Sequence, residues 1–438
     1  MKEEPKNKPV SSTKKESLTS PKGMRDILDE QYYFYQGFFE KAQEVALYYG
    51  FKPIELPILE KEDVFTSGVG TGTDIVDKEM YTLRTKGGDK LALRPEGTAG
   101  VMRAYLEHGM QSLPQPVMLY YYGPFYRHDN PQKGRYRELR QFGLEILGTE
   151  KSIADALIIK TAVMILEEAG AENIIVDINS IGDKDCRNGY IKALTTYYKK
   201  HIHNLPTIDR ERLKTNPLRI LDSKDLKTIE INENAPDALS SLCHNCKHHF
   251  KEVLSYLDEM NVSYRINKNL VRGLSYYSRT VFEIIEQTGG EDETPLTIAG
   301  GGRYDYLGKM LGSKKDIPAI GMAIGVDRVV ESSWYAKLSP RIVKKPKIYF
   351  IQLGFDAKLK SLNIIEILRK AKVPIAQSIS KDSLGSQLAI AEQLGTPYTL
   401  IFGQKEALEN SVIVRDMHTR SQETVSLDQL LEYLKKLK

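Results

Sequence analysis

Long apolar runs are missing. No stretch approaches the roughly 18 consecutive apolar residues that would span a bilayer. The first residues carry charges without an apolar segment, so neither a membrane span nor a secretory signal is expected. Cysteine is scarce. Cys186, Cys243 and Cys246 are too few for a disulfide framework, which fits a reducing, cytoplasmic setting. An excess of one charge is also lacking, with 62 Lys and Arg against 58 Asp and Glu. The resulting net +4 excludes a globally basic body, so any nucleic-acid contact has to come from local patches. No internal repeat of fixed period is found. The composition is otherwise that of a globular protein, 41% hydrophobic and 27% charged. At 438 residues the chain is too long for one simple core, and two or three domains are expected.

The most organised stretch is 117–148, VMLYYYGPFYRHDNPQKGRYRELRQFGLEILG. It reads as two long β-runs joined by a polar, cationic turn over 130–137. Side chains alternate with period two, so Gly123, Phe125 and Arg127 share one face of the first run. Gln141, Gly143 and Glu145 share a face of the second by the same rule. An antiparallel pair built this way offers an arginine, an amide and a carboxylate to a polyphosphate and a small polar ligand. An amphipathic hairpin with a solvated charged loop is the bland reading of the same residues.

Around it the chain falls into segments. Residues 1–20 are polar and charged and read as a disordered tail. Residues 31–49 form a helix stopped by Gly50. FKPIELPILE is extended, and its two prolines suit an edge strand or an interface. In LALRPEGTAG a strand ends at Pro95 and Thr98 is expected to cap the next helix, with Glu96 at the junction. A helix over 153–169 and a buried strand IIVDINSIG follow. From 183 to 261 the chain is polar and helical, an insertion, before glycine-punctuated strands resume. These carry Arg272 before Gly273, three glycines at 300–302 before Arg303, and Arg328 at a helix start. After a linker at 332–346, strands and helices alternate cleanly through 347–438, a small α/β domain with a mainly parallel sheet.

The segments TDIVDKEMYTL, LALRPEGTAG, YRHDNPQKGRYRELRQFGLE, INSIGD, NPLRILDSK, LVRGLSYY, AGGGRYDYL and the strand-helix around Arg328 fall in one order. Together they resemble the signature motifs of the histidyl-tRNA synthetases, a family of class II aminoacyl-tRNA synthetases, from about Pro21 to the C-terminus. The resemblance implies an α+β fold: an antiparallel catalytic sheet with flanking helices at 21–182 and 262–331, a helical insertion domain at 183–261, and a C-terminal anticodon-binding domain at 347–438. It implies ATP-dependent attachment of histidine to its tRNA through a histidyl-adenylate, with Mg2+ assisting. It also implies a cytoplasmic homodimer built through the first motif, around Phe51 to Glu60.

Adenylation brings a carboxylate onto the α-phosphorus of ATP, so cations aimed at the developing charge supply most of the acceleration. Arginine suits the task because its rigid fork binds phosphate bidentately and stays charged. By resemblance Arg127, Arg135, Arg272 and Arg328 bind ATP, and Arg272, Arg127 and Arg328 are the catalytic set. Glu96 and Gln141 resemble the pair that binds the α-ammonium of histidine. Glu145, Tyr277 and Tyr304 resemble the readers of its imidazole, with Thr98 and Tyr276 beside them. A site made of hydrogen bonds rejects analogues lacking them by roughly 10⁴–10⁵, so the insertion need not edit. Gln132 matches the position that helps read the extra 5′ guanosine of histidine tRNA.

Two residues depart from the family pattern. Ser275 stands where the family usually has Asp, and Asp327 where it usually has Glu. The first removes a charge near the active centre and puts efficiency in doubt, while the second is expected to matter little. Cys243-x-x-Cys246 with His248 and His249 suggests zinc, but no second ligand pair at proper spacing is evident, and no metal is expected there. The rival reading is a non-catalytic paralogue acting as a regulatory subunit of ATP phosphoribosyltransferase. Such proteins tend to lose the motif arginines and the last domain, both of which this chain keeps.

Overall fold

A computed structural model describes residues 18–70, 73–131, 134–287, 296–341 and 343–437. Residues 1–17 of the expected tail lie outside them. The described chain forms two compact units, residues 1–340 and 341–438.

The first unit is built on a large sheet and a small one. After the helix Asp29–Tyr48 come β1 (Lys52–Pro53), β2 (Leu59–Lys61), β3 (Thr82–Arg84) and β4 (Lys90–Leu93). The last three pair antiparallel in the order β2-β4-β3. Then follow β5 (Val117–Tyr126), β6 (Glu138–Leu147), β7 (Ile174–Ser180), β8 (Tyr264–Ile266), β9 (Ser278–Glu286), β10 (Leu296–Arg303) and β11 (Ala319–Gly325). The large sheet runs β1-β5-β6-β11-β10-β9-β7-β8. Its middle is antiparallel, and each edge closes with a parallel pair, β1 on β5 and β8 on β7. Strand β1, which contains Pro53, sits at the edge, where a missing ladder donor costs little. The three glycines at 300–302 lie within β10 rather than after it, because strands on both sides pair through them.

Alternation along the hairpin divides the two faces of this sheet. Tyr120, Phe142, Leu144 and Ile146 join one core with the helices Asp29–Tyr48 and Ser152–Glu168. Leu119, Tyr121, Phe125 and Leu147 join the other, over which the helix Thr98–Glu107 packs. Gln141, Gly143 and Glu145 belong to that second face, as the period of two requires.

The expected helical insertion at 183–261 does not behave as one body. Tyr190, Leu194, Tyr198, Leu205, Leu213 and Ile220 make a separate small core. The helix His244–Glu259 instead sends Phe250, Val253 and Leu257 into the main core, because its apolar stripe lies against the helix Ser152–Glu168. The expected linker at 332–346 also begins later than the sequence suggested. Tyr335 is buried and its hydroxyl donates to the Phe34 carbonyl at 2.8 Å.

In the second unit β12 (Ile348–Gln352), β13 (Ile375–Gln377), β14 (Tyr398–Phe402), β15 (Ser411–Asp416) and β16 (Gln422–Ser426) run in the order β13-β12-β14-β15-β16. The sheet is mixed rather than mainly parallel. The pairs of β12 with β13 and β14 are parallel, and β14-β15 and β15-β16 are antiparallel. Strand β16 escapes sequence reading because QETVS is polar and buries only Val425.

Candidate active site

A cavity of about 460 Å³ opens on the second face of the large sheet. Its lining brings together Arg127, Arg135, Arg272, Arg328, Glu96, Thr98, Gln141, Tyr276 and Tyr277. Glu145 and Tyr304 lie behind this wall, completely buried. Gln132 lies outside the described residues. A larger hollow of about 630 Å³ between Tyr105, Gln115 and residues 311–318 carries no comparable set of charged groups, only surface Lys314, Lys315 and Asp316.

One end of the site is acidic and dry. Thr98 does not cap its helix; it is the first helical residue, and Gly97 is the N-cap. The free amides are taken by Glu96, whose carboxylate accepts from Thr98 N at 2.7 Å and Ala99 N at 3.0 Å. Carboxylates suit a helix start because the exposed amides there carry partial positive charge. Burial still pushes the Glu96 carboxyl above its ordinary range, against the pull of those amides. The Thr98 hydroxyl is left free to donate to Glu145 Oε1 at 2.7 Å, and Tyr304 Oη donates to Glu145 Oε2 at 2.5 Å. Burial pushes Glu145 up to about 8, opposed by these two donors. A Cβ on Gly321 would lie 1.5 Å from Glu145 Oε2, so this carboxyl fits only against a glycine. Tyr276 Oη donates to Glu96 at 3.3 Å, and its ring lies 5.8 Å from that of Tyr304. In the cavity lining Gln141 has a buried Oε1 with no hydrogen-bond partner among the described residues. A buried acceptor left unpaired is costly unless a ligand donor completes it.

The other end is cationic. Burial and the neighbouring Arg135 and Arg127 lower Arg328 below the usual guanidinium range. Like charges crowded in this way await an anion. Arg328 Nε donates to the Gly134 carbonyl at 3.2 Å, and its Nη1 to the Thr297 carbonyl. Arg127 Nε donates to the Pro95 carbonyl at 2.8 Å, which anchors the side chain at the cavity wall. Arg272 pairs with Glu283, a partner the sequence did not reveal, and Glu283 also accepts from Thr297 Oγ1 at 2.9 Å. The Arg272 guanidinium crosses β10 where a Cβ on Gly300 would stand 2.6 Å from Nη1. Gly300 is therefore a seat for this arginine, while Gly301 and Gly302 make room for β11 and β9.

Several further lining residues were missed, among them Glu79, Glu283, Tyr121, Arg212 and Asp222. Tyr121 carried no signal beyond its strand, while Arg212 and Asp222 belong to the helical segment that sequence alone set apart. Arg303, conspicuous in GGGRYD, is fully buried away from the cavity, 2.8 Å from Asp155 and 3.0 Å from Asp305. It fastens the start of the helix Ser152–Glu168 and touches no ligand space.

A family model described as histidyl-tRNA synthetase matches residues 23–329, and one described as anticodon binding domain matches 347–437. The chain belongs to the histidyl-tRNA synthetase family. Curated relatives agree. A histidine–tRNA ligase of Dehalococcoides mccartyi is 40% identical over 95% of this chain and 99% of its own length, and one of Desulforamulus reducens is 39% identical over the same shares. The crystal structure of apo S. aureus histidyl-tRNA synthetase superposes with a TM-score of 0.79 at 31% identity, covering 96% of this chain and all of that one. Membership makes this chain an enzyme, an aminoacyl-tRNA synthetase, and the regulatory-subunit alternative is not favoured. It also accounts for the mixed sheet with flanking helices and for a separate C-terminal unit with its own sheet.

Proposed function

We propose that this chain joins histidine to its tRNA in two steps at the cavity described, with ATP activating the histidine carboxylate first. The observation that carries the proposal is the pairing of ends. Four arginines line the same cavity as Glu96, with buried Glu145 nearby, and Gln141 in that lining has an unpartnered Oε1 among the described residues. The histidine ammonium lies between Glu96 and Gln141 Oε1, and its imidazole reaches toward Glu145 through Tyr277 and Tyr304. Arg272 and Arg127 hold the α-phosphate as the histidine carboxylate attacks it, and Arg328 and Arg135 hold the far phosphates. Charge building on the equatorial oxygens is met by guanidinium groups already in position, which costs no reorganisation during the step. Pyrophosphate leaves, and the 3′ hydroxyl of the tRNA then attacks the adenylate carbonyl.

Mg2+ fits this reading, since it needs only one or two protein carboxylates beside substrate phosphates, and Glu79 and Glu283 both line the cavity. When bound it neutralises phosphate charge. A homodimer through Phe51–Glu60 is supported by the exposure of Ile58 and Leu59 there and of Leu47 and Tyr48 just before it. No helix among the described residues is long and apolar enough to cross a membrane, which is consistent with a cytoplasmic enzyme. Histidine-dependent ATP–pyrophosphate exchange tests the reading. Exchange with histidine alone among the amino acids is expected, and its absence from folded protein would overturn the assignment.

A further inference from the structure

Away from the cavity, four side chains converge at the roots of two helices. Asp183 is the N-cap of the helix Lys184–Lys200, and Cys186 lies in its first turn. Cys243 is the N-cap of the helix His244–Glu259, and Cys246 lies in its first turn. The carboxylate oxygen and the three sulfurs all lie within 4.8 Å of one another. Asp183 Oδ2 is 3.2 Å from Cys246 Sγ and 3.7 Å from Cys243 Sγ. Thiolates about a tetrahedral zinc at 2.3 Å stand about 3.8 Å apart, so the cluster is close to that size before any ion enters. The histidines that the sequence offered are not part of it. His249 Nε2 is 2.7 Å from Asp155, and His248 points to Glu252 at 3.6 Å.

Each sulfur also receives a backbone amide. Cys243 N donates to Cys186 Sγ at 3.1 Å, Asp183 N to Cys246 Sγ at 3.4 Å and Cys246 N to Cys243 Sγ at 3.5 Å. Two of the three cross from one pair to the other. A neutral thiol is a weak acceptor, and three amides aimed at three sulfurs are the environment a metal-bound thiolate requires. Two helix N-termini meet here as well, and both favour negative charge. Leu239 and Leu242 cover one side, and Cys186 and Cys246 are buried.

We propose that Asp183, Cys186, Cys243 and Cys246 form a closed tetrahedral site for one zinc ion, with a structural role. All four positions are filled by protein, so no place is left for a substrate. The ion ties the start of one helix to the start of the other and closes the 184–243 segment at its base. It also acts at one remove on the active site. Arg187, next to Cys186, donates to the carbonyls of Ser275 at 2.7 Å and Tyr277 at 3.3 Å, in the loop that follows Arg272.

The test uses full-length protein without a histidine tag, purified under reducing conditions. Elemental analysis is expected to find about one zinc per chain, the stoichiometry of a four-ligand structural site. Titrating Co2+ into chelator-treated protein is expected to produce the thiolate-to-cobalt charge-transfer band and the intense d–d bands of tetrahedral cobalt. Cys243→Ser, at an exposed position, is expected to lose the metal while keeping its circular dichroism, and Asp183→Cys to bind it more tightly. Substoichiometric zinc with no cobalt charge-transfer band in the wild-type protein would overturn the proposal. So would a disulfide among these cysteines in freshly prepared protein, found by peptide mapping. The cobalt titration of wild-type protein decides the matter even if a variant fails to fold.

Discussion

The two ends of the cavity solve opposite problems. At the carboxyl end nearly every polar atom is already paired: Glu96 by helix amides, Glu145 by Thr98 and Tyr304. At the arginine end Arg272 is paired with Glu283 and Arg135 lies 3.6 Å from Asp129, but Arg328 is lowered by burial and by its neighbours Arg135 and Arg127. The first end is rigid and selective before any ligand arrives. The second stores an unmet demand for negative charge, which phosphate meets. Specificity thus belongs to the satisfied end and rate to the unsatisfied one.

That division can be broken most sharply at Arg272. Arg272→Ala is expected to slow single-turnover adenylation by about 10²–10³, with a smaller effect on histidine affinity. A loss below tenfold would remove Arg272 from the catalytic set, and the same holds for Arg127→Ala. Gly300→Ala pushes on the Arg272 guanidinium without touching its charge, and a rate loss on the order of tenfold to 10² is expected in the same assay. At the other end Tyr304→Phe leaves a buried Glu145 oxygen unpaired, at a cost of about 1–3 kcal/mol. Thermal melting should register that loss, and the histidine KM should rise more than kcat falls. An unchanged KM would place the histidine elsewhere.

Glu145 also sharpens the contrast through pH. Its carboxyl is pushed from 4.5 to about 8 by burial, so the folded chain holds a proton that the unfolded chain releases. This group's contribution to stability is therefore complete below about 4.5 and lost as pH rises through about 8. Melting temperatures measured across that window should fall less steeply in Glu145→Gln than in the wild type; parallel curves would refute the assignment. The smallest effect is expected from Ser275→Asp. The Ser275 hydroxyl donates to the Val69 carbonyl, which a carboxylate cannot do. Placing the family's usual residue here should cost a few-fold in kcat/KM rather than improve it.

Much of this was legible in the sequence where the signal is periodic. The hairpin strands and the shared face of Gln141 and Glu145 follow from alternation alone, and the helix Asp29–Tyr48 stops just before Gly50, which takes a left-handed φ of 89°. What the sequence could not convey is which groups meet through space. Thr98 had the chemistry of a cap, yet Glu96 won the amides because a carboxylate two residues earlier reaches them better. Gln141 and Glu145 share a face, but only one reaches the cavity, because the Tyr121 ring fills the space above Gly143. The nearness of Asp183-x-x-Cys186 to Cys243-x-x-Cys246 was not legible because Cys186 and Cys243 lie 57 residues apart and one of the four groups is a carboxylate. The helix His244–Glu259 was grouped with its polar neighbours because composition averages over an apolar stripe.

Asp327 accepts from Arg25 at 3.1 Å, from Tyr35 at 2.8 Å and from the amide of Arg140 at 2.6 Å. Arg25 lies 302 residues before it and carries its guanidinium 3.5 Å over the Tyr136 ring. On the ribosome, Arg25 therefore waits for nearly the whole first unit to emerge before its Asp327 partner exists. The short helix Val326–Val330, which carries both Asp327 and Arg328, is then locked by residues far apart in that unit's sequence. A fragment released before residue 327 has every arginine of the phosphate wall except Arg328, and holds Arg25 through Tyr35 and Tyr136 alone, without a carboxylate to meet its charge.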